Sequence, residues 1–349
     1  MGVAAVDATP ELLALANRFA IDGVARRVEA HRGGHINDTW FVDTDRGHRY
    51  VLQRINPQVF ADAAGVVANT ARVVATIERS VPGLVPPIVA GRDGAPAVVA
   101  GGAAYRMLGF VAGRNLAGLE SGQQASAAGF AFGRFQQALK SYDRAGHVVP
   151  IARFHELNWQ LERFDRVLEH PAPGRFALAA DDVAKAQLER SRVVADALGP
   201  FGMIHGDGKV TNLLFDAHDN VVAVLDLDTV MWGALSWDFG DLVRSAAALG
   251  AEDDPDIGFS LERYAALASG YVRGAGDLVT AELRAALGAV PAYMAYMLAL
   301  RFLIDFLDGD TYFRVAHPQH NLLRARCQFR LFRLMVDARS ELDRIATRA

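Results

Sequence analysis

Residues 205–228 read HGDGKVTNLLFDAHDNVVAVLDLD, and this stretch says more about the fold than any other part of the chain. Two short apolar runs, NLLF and VVAVL, flank the turn-forming residues HDN, which predicts two antiparallel strands joined by a tight turn. A turn centred near Asp219 places Asn212 beside Asp226 at the open end of the hairpin, where the residues HGD also arrive. We therefore expect Asp207, Asn212 and Asp226 to lie close together.

These three side chains form a set of oxygen donors. One amide and two carboxylates suit Mg²⁺, which proteins hold through one or two ligands together with substrate phosphates. A phosphate-bearing nucleotide is then the expected third component. The alternative without chemistry is a loop in which Asp207 caps a turn and His205 is a buried core histidine, and for His205 we prefer that alternative.

The rest of the chain predicts an α+β fold with two lobes. The first third alternates short apolar runs with turn signals, which predicts three antiparallel strands, a helix over residues 59–79 and further short strands up to residue 108. A hinge is expected at residues 109–113, between a small β-rich lobe (1–108) and a larger, mainly helical lobe (109–349). Helices are expected in the larger lobe over residues 121–140, 156–169, 181–198, 260–273, 280–307 and 317–345.

Composition disfavours several classes of function. The chain has 36 Lys and Arg against 40 Asp and Glu, a formal charge of -4, so there is no basic field to hold a nucleic acid. The single cysteine, Cys327, cannot form an internal disulfide, which favours a reducing, cytoplasmic setting. The N-terminus lacks the basic region of a signal peptide, and the apolar residues 285–300 are fewer than the roughly 20 that a bilayer requires. We expect no membrane and no nucleic-acid partner.

The motif HGDGKVTN follows an H-x-D-x-x-x-x-N pattern, and Asp226 in VLDLD comes 19 residues after Asp207. In these features the chain resembles the phosphotransferases related to aminoglycoside and choline kinases, which share a bilobal protein-kinase-like fold. Further segments resemble the bacterial N-acetylhexosamine 1-kinases: GGHINDTWFV, YVLQRIN, WDFGDLVR, RFLIDFLDGDTYF and HNLLRARCQF. The resemblance spans most of the chain.

The resemblance implies a role for each residue of the motif. Asp207 becomes the catalytic base that orients the substrate hydroxyl, and Asn212 and Asp226 become metal ligands, with Mg²⁺ as cofactor and ATP as co-substrate. Asp228, two residues further on, is expected to assist the metal or to bind the sugar. Asp238 begins a DFG tripeptide, but it opens the helical run WDFGDLVRSAAAL, so we interpret it as a helix cap or turn partner and not as a metal ligand.

The N-terminal loop over residues 31–38 resembles a phosphate-covering hairpin turn. Gly33 and Gly34 would let backbone amides approach an anion closely. Polar contacts to sugar or phosphate are expected from three residues of the same loop: His35, Asn37 and Asp38. The alternative for these three residues is an Asx-type turn.

The third predicted strand, YVLQRIN, has no lysine, although protein kinases use a lysine there to bind the nucleotide phosphates. Either Gln53 or Arg54 takes that place, and strand alternation turns only one of them inward. Arg54 is the electrostatic choice, although the family register allows Gln53. The helix expected over residues 59–79 offers no well-placed partner for such a cation, because Glu78 lies at its far end.

The segment ALRFLIDFLDGDTYF contains a last group of candidates. Arg301 and Asp305 are four residues apart and share a helix face, which allows an intrahelical ion pair. Because Arg301 interrupts a strongly apolar helix, where an unpaired charge is costly, a polar cavity beside it is the other interpretation. The resemblance implies that Arg301 and Tyr312 line the sugar pocket.

Together these observations predict an ATP- and Mg²⁺-dependent kinase of a small molecule, with the anomeric hydroxyl of an N-acetylhexosamine favoured by the resemblance. Another sugar, an amino alcohol, homoserine or an aminoglycoside stays open as the substrate, and a polycationic aminoglycoside would require an acidic pocket. A nucleotide-binding pseudokinase without transfer activity is the alternative from a different class. The missing lysine supports it, whereas the presence of Asp207, Asn212 and Asp226 opposes it.

Overall fold

The computed structural model describes residues 9–31, 36–193 and 198–349, and the chain divides into two compact units. The smaller unit comprises Met1–Ala112, Tyr142–Ile151 and Leu225–Val230. The larger unit comprises Gly113–Ser141, Ala152–Val224 and Met231–Ala349. The first division falls within the expected hinge at residues 109–113, and two later segments of the chain join the smaller unit.

The smaller unit is built on one antiparallel sheet. Its strands are β1 (Ala25–His31), β2 (Asp38–Thr44), β3 (Arg49–Arg54), β4 (Ile88–Val89), β5 (Val98–Ala100) and β6 (Ala103–Gly109), and its helices are α1 (Thr9–Ala16) and α2 (Ala63–Ser80). The strand order is β1-β2-β3-β6-β4, with β5 also paired to β6. The predicted three strands, helix and further short strands are confirmed. The short helix α1 was not predicted, because its eight residues are too few to show a clear period.

The two faces of this sheet differ in polarity. On one face, Leu52 and Met107 are cross-strand partners and are fully buried together with Phe19. Strand alternation turns the neighbouring residues to the other face, where Gln53 lies opposite Arg106. The sheet therefore carries an apolar core on one side and a polar pair on the other.

The larger unit is mainly helical. Its helices are α3 (Gly122–Ala138), α4 (Leu157–Glu169), α5 (Arg175–Glu189), α6 (Ser236–Ala246), α7 (Leu261–Ala275), α8 (Ala281–Ala286), α9 (Val290–Leu307), α10 (His320–Asp337) and α11 (Arg339–Arg348). Its strands are β7 (Arg114–Asn115), β8 (Phe201–Ile204), β9 (Leu213–Phe215), β10 (Val221–Val224), β11 (Met231–Ala234), β12 (Ala248–Leu249) and β13 (Gly258–Phe259). The predicted hairpin is confirmed, because β9 pairs with β10 and Leu213 lies opposite Val224.

Several boundaries differ from the sequence-based expectation. The helix expected over residues 280–307 is two helices, α8 and α9, with Pro291 in the first turn of α9. Gly288 lies in the break, where a Cβ atom would be 2.0 Å from Oδ1 of Asp343. The helix expected over residues 317–345 is likewise divided, into α10 and α11. The helix predicted over residues 181–198 is only partly observed: α5 begins earlier, directly after Gly174 with φ +76°, and ends at Glu189, while residues 194–197 lie outside the described residues.

Helix α9 contains most of residues 285–300, the apolar segment that is shorter than a bilayer requires. Among the described helices, it alone is long and apolar enough to cross a bilayer, yet 89% of it is buried inside the protein. Its burial is that of a core helix, as its sequence predicts.

Helices α3 and α7 pack backbone against backbone. At four positions the contact leaves no room for a Cβ atom: Gly129 and Gly133 on α3, and Gly270 and Gly274 on α7. A Cβ atom on Gly270, for example, would lie 2.0 Å from the carbonyl oxygen of Ser126. The relative position of the two helices is therefore fixed by main-chain atoms, which cannot adjust by changing rotamer.

We expect Gly270→Ala to lower the free energy of unfolding by about 1–3 kcal/mol, because overpacking against a carbonyl outweighs the gain in helix propensity. Gly122→Ala is the matched control, since its nearest new neighbour, the Cβ atom of Ala266, would be 4.0 Å away. Chemical denaturation of both variants measures the difference. Equal stability of the two variants would contradict the close packing of α3 on α7.

Candidate active site

The HGD loop, defined as residues 205–208, connects β8 to a 3-10 turn at Val210–Asn212. Gly206 has φ +80°, a left-handed conformation that favours glycine. Gly208 lies so close to α6 that a Cβ atom there would be 2.6 Å from the carbonyl oxygen of Asp238. The two glycines of the motif thus allow the loop to turn tightly against the first turn of α6.

Asp238 binds the backbone of the HGD loop. Its Oδ2 accepts hydrogen bonds from the backbone N of His205 at 2.7 Å and from Nε2 of Gln136 at 2.8 Å, and its Oδ1 accepts one from the backbone N of Gly206 at 2.9 Å. Burial raises the pKa of the Asp238 carboxyl, although these donors favour its charged form. The interpretation of Asp238 as a turn partner is confirmed, whereas the N-cap position of α6 is Leu235.

His205 is the core histidine that was expected. Its side chain is fully buried, with its ring centre 5.5 Å from that of Phe132 and 5.4 Å from that of Phe135. Its Nδ1 accepts a hydrogen bond from the backbone N of Asp207 at 3.3 Å. The residue therefore supports the loop and orients the backbone of Asp207.

Asp207 and Asn212 are brought together. Nδ2 of Asn212 donates to Oδ2 of Asp207 at 2.9 Å and to its backbone oxygen at 2.8 Å, and Nζ of Lys209 lies 2.7 Å from the same Oδ2. Burial raises the pKa of Asp207, but the Lys209 ammonium, His205 and the Asn212 amide outweigh it and lower the pKa to about 2. The carboxylate is therefore ionised at neutral pH and can accept a hydrogen bond from a hydroxyl.

The donors expected to bind a metal have the appropriate chemistry. Because the amide nitrogen of Asn212 faces Asp207, its Oδ1 is the atom left for a cation. Asp226 follows β10 by two residues, belongs to the smaller unit, is exposed and has φ +59°. Within the described residues, no group of three or more His, Cys, Asp or Glu could hold a metal ion. An ion bound by Oδ1 of Asn212 would complete its shell with water and substrate oxygens, as Mg²⁺ does.

A small cavity of the larger unit borders Asp207, and we call it the Asp207 cavity. Its wall is formed by Phe154, His155, Asp207, Asp241, Arg244, Met294, Met297, Leu298 and Arg301. Nε of Arg244 donates to Oδ1 of Asp241 at 2.7 Å, and because both side chains are buried, these two charges compensate each other. Arg301 forms no ion pair with a carboxylate in the described part of the chain, so the wall carries one unpaired guanidinium together with the carboxylate of Asp207.

Aromatic rings hold Arg301 in place. Its guanidinium carbon lies 4.4 Å from the ring centre of Phe154, 5.4 Å from that of Phe313 and 5.7 Å from that of Tyr312. Cation–π contacts of this kind position the charge without neutralising it. The intrahelical pair of Arg301 with Asp305 is not formed, because Asp305 instead accepts hydrogen bonds from three successive backbone amides of the loop after α9. The expected polar cavity beside Arg301 is present.

A second polar cluster lies within the smaller unit. Arg106 forms a buried ion pair with Asp228, and its guanidinium also donates to Oε1 of Gln53 at 2.9 and 2.7 Å and to Oγ1 of Thr70 at 3.2 Å. Nδ2 of Asn37 donates to the other oxygen of Asp228 at 2.5 Å. Asp228 is only 3% exposed, and both of its oxygens are bound inside the protein. Asp228 is therefore a structural anchor, and the expectation that it contacts the metal or the sugar is wrong.

The structure decides which residue of β3 points inward. Gln53 faces the polar cluster, whereas Arg54 is exposed and pairs with the exposed Asp38, its Nε lying 3.2 Å from Oδ2. The electrostatic choice of Arg54 as the inward cation is therefore wrong. The buried cation is Arg106, the cross-strand neighbour of Gln53 on β6.

Of the remaining predicted residues, Gly33, Gly34 and His35 lie outside the described residues. Asn37 is described, and in addition to its bond to Asp228 its Oδ1 accepts a hydrogen bond from the backbone N of Asn56 at 3.0 Å. Tyr312 is half exposed and packs on Arg301 without lining the Asp207 cavity itself.

Several residues of these clusters were not anticipated, among them Arg106, His155 and Lys209. For Arg106 a signal was available, because it interrupts the apolar strand AAYRMLG in the same way that Arg301 interrupts α9. For Lys209 and His155 the sequence gives no such signal, since each is one polar residue in a polar loop.

A family model described as APH, the phosphotransferase enzyme family, matches residues 27–286 of the chain. An aminoglycoside phosphotransferase from Alicyclobacillus acidocaldarius is 12% identical over 99% of this chain and 98% of that chain, with a TM-score of 0.65. Amicoumacin kinase, solved with AMP-PNP and Ca²⁺, is 14% identical over 93% of each chain, with a TM-score of 0.63. A microcompartment-associated aminopropanol kinase is 16% identical over 96% of this chain and 98% of that chain, with a TM-score of 0.58. These structures confirm the kinase-like α+β fold.

We expect Arg106→Met to lower the free energy of unfolding by about 3–5 kcal/mol, because it leaves the buried carboxylate of Asp228 without its counter-charge. Arg46→Met is the matched control on the same unit, since Arg46 and its partner Asp22 are both exposed and their pair contributes little. Chemical denaturation of the two variants measures the contrast.

Adding Asp228→Asn to Arg106→Met should recover part of the lost stability, because it removes the unpaired buried charge. A double variant less stable than the sum of the two single changes would contradict the ion pair as the source of the effect.

Proposed function

The chain belongs to the phosphotransferase enzyme family, whose members transfer a phosphoryl group to a small-molecule hydroxyl, and from this premise we propose that it uses ATP and Mg²⁺ to phosphorylate a sugar. The observation that carries the proposal is the ionised carboxylate of Asp207, held by Asn212 and Lys209 at the wall of a cavity that also contains Arg301. Such an arrangement can orient one hydroxyl of a bound molecule for attack on a phosphorus atom.

In the reaction, Asp207 acts as the base. Its Oδ2 is occupied by Asn212 and Lys209, so Oδ1 is the atom that accepts the hydrogen bond of the attacking hydroxyl. As the bond from the hydroxyl oxygen to the γ-phosphorus forms and the bond to the leaving ADP oxygen breaks, the hydroxyl proton passes to Oδ1 of Asp207. The low pKa of Asp207 keeps it ready as an acceptor across the physiological pH range.

Asn212, through Oδ1, and Asp226, through its carboxylate, are the residues proposed to hold Mg²⁺. When bound, the ion neutralises charge that develops on the transferred phosphoryl group. The backbone conformation of Asp226, with φ +59°, supports a functional role, because a non-glycine residue in this region is strained and such strain concentrates at functional sites.

For the nucleotide, we propose contacts from the backbone amides of Gly33 and Gly34, as the resemblance implies, and from the strand residue Gln53 in preference to the outward-facing Arg54. Arg106 lies next to Gln53 on the neighbouring strand, but its charge is compensated by Asp228 inside the protein. The absence of a lysine from β3 supports the pseudokinase alternative, and the presence of Asp207, Asn212 and Asp226 opposes it.

For the acceptor, we propose the anomeric hydroxyl of an N-acetylhexosamine. Arg301 offers N–H donors to sugar oxygens, and Phe154 offers an aromatic face next to it. Burial and the nearby charge of Arg301 lower the pKa of Arg163, so a second cation lies close to this region. The cavity wall has as many guanidiniums as carboxylates, so it is not the acidic pocket that a polycationic aminoglycoside would require. His35, Asn37, Asp38 and Tyr312 are proposed as further polar contacts to the substrate.

The reaction is proposed to take place in the cytoplasm. Cys327 is buried, and burial raises the pKa of its thiol to about 12, so it is an inert core residue that needs no oxidising compartment.

Incubation with ATP, Mg²⁺ and a panel of hexoses, N-acetylhexosamines, amino alcohols, homoserine and aminoglycosides, with ADP release as readout, tests the proposal. We expect the highest kcat/KM for an N-acetylhexosamine. Asp207→Asn should lower kcat by roughly 10²–10⁴-fold, because the amide cannot take the proton, while the melting temperature stays close to that of the wild type. ADP release that no acceptor stimulates would instead indicate a pseudokinase.

Lys209→Met should raise the pKa of Asp207, because it removes the main charge that favours the carboxylate. Activity requires ionised Asp207, so it is present above this pKa and lost as the pH falls through it. The acid limb of the kcat/KM profile should therefore move to higher pH in the variant. Lys140→Met is the control, since Lys140 pairs with the exposed Asp277, and its profile should match that of the wild type.

A further inference from the structure

We infer that His155 determines acceptor specificity by accepting, through Nδ1, a hydrogen bond from a second donor group of the substrate whose hydroxyl is bound by Asp207. The inference rests on the proposed function of the Asp207 cavity. It adds a requirement that the proposed function does not contain: the acceptor must carry an N–H or a further O–H near the hydroxyl that is phosphorylated.

His155 is a rigid part of the cavity wall. It lies just before α4, is 4% exposed and lines the same cavity as Asp207 and Arg301. Its ring centre lies 4.5 Å from that of Phe154 and 5.4 Å from that of Trp237. Packing between two aromatic rings restricts the imidazole to one orientation.

The hydrogen bond of Nε2 defines the tautomer. Nε2 lies 2.7 Å from the carbonyl oxygen of Gly206, the residue before Asp207. Because a carbonyl oxygen can only accept, Nε2 carries the hydrogen and donates it. Burial lowers the pKa of His155 to about 4, so the ring is neutral at pH 7 and Nδ1 holds a lone pair.

That lone pair is not used within the protein. Nδ1 is buried and has no hydrogen-bond partner among the described residues. The neighbouring cations are otherwise engaged, Arg244 by Asp241 and Arg301 by aromatic rings. Buried polar atoms are normally partnered, so an unpartnered acceptor on a residue that lines the cavity beside the proposed base indicates a donor that arrives with the substrate.

The chemical class of the donor follows from the geometry. Asp207 takes the hydroxyl that is phosphorylated, so the group that reaches His155 is a second one on the same molecule. An amide N–H or a second hydroxyl satisfies an imidazole lone pair, whereas an ether, a methylated amide or a quaternary ammonium does not. The cavity should therefore reject analogues in which this donor is removed or methylated.

Two variants, His155→Gln and His155→Asn, test the hydrogen bonds of Nε2 and Nδ1 of His155 separately. The amide nitrogen of Gln at position 155 can take the place of Nε2 and keep the bond to Gly206, but Gln offers no acceptor at the place of Nδ1. Asn offers a side-chain oxygen at the place of Nδ1 but cannot reach Gly206. We expect His155→Gln to raise KM for the acceptor about 3- to 10-fold with little change in kcat. We expect His155→Asn to lower kcat, because the HGD loop loses a support, with KM nearly unchanged.

The decisive measurement combines these variants with substrate analogues. The preferred sugar of the panel is compared with its deoxy analogues and, for an acetamido sugar, its N-methylacetamido analogue, both by KM and by calorimetric titration of the sugar without ATP. In the wild type and in His155→Asn, the analogue that lacks the donor to Nδ1 should bind about 3- to 10-fold more weakly than the parent sugar. In His155→Gln the same analogue and the parent sugar should bind alike. His218→Gln, at an exposed position of the β9–β10 turn, is the control and should behave as the wild type.

Equal discrimination by His155→Gln and the wild type would overturn the inference and assign Nδ1 to a bound water. If His155→Gln does not fold, His155→Asn decides, because loss of discrimination in that variant would equally overturn it. A wild-type enzyme that turns over no acceptor refutes the proposed function, whereas an active wild type with an unaffected His155→Gln refutes only the role of His155.

Discussion

The buried ion pair between Arg106 and Asp228 fixes a late segment of the chain to the N-terminal sheet. The two residues are 122 positions apart, and both side chains are almost fully buried. Neither charge is tolerable alone at that depth, so the pair forces the segment Leu225–Val230 into the smaller unit, although the strands on either side of it belong to the larger one. His147 also connects this segment to the rest of the smaller unit, because its Nε2 lies 2.9 Å from the carbonyl oxygen of Val230. The same segment carries Asp226, so the ion pair also sets the position of a proposed metal ligand within its unit.

In the larger unit, a chain of hydrogen bonds fixes the position of Asp207. The hydroxyl of Tyr271 on α7 donates to Oε1 of Gln136 on α3 at 2.6 Å, and Nε2 of Gln136 donates to Asp238 on α6. Asp238 in turn accepts hydrogen bonds from two backbone amides of the HGD loop. Three helices therefore define the place of the proposed base, and each donor and acceptor of the chain is buried where its loss would be costly.

Local features of the fold and of the HGD loop were predictable, whereas the long-range pairings were not. The β9–β10 hairpin and the role of Asp238 follow from turn residues, short apolar runs and a helix start, all of which are read within a few residues. The orientation of Gln53 and Arg54 depends on the register between β3 and its neighbours, which no local pattern fixes. The pairing of Arg106 with Asp228 joins two distant segments, and so does the close approach of Asp343 to Gly288 in the break before α9, so both require the tertiary structure. The metal and substrate roles of the predicted residues stay predictions.

The backbone contact between α3 and α7 has a consequence for attempts to redesign the enzyme. Main-chain atoms cannot adjust by changing rotamer, and Gln136 and Asp238 connect the two helices by hydrogen bonds to the loop that bears the proposed base, so a shift of either helix would displace that loop. The apolar wall residues Met294, Met297 and Leu298 are outside this hydrogen-bonded chain. Mutant libraries that aim to broaden the range of acceptor substrates should therefore vary these three positions on α9 and leave unchanged the four glycines at the contact between α3 and α7.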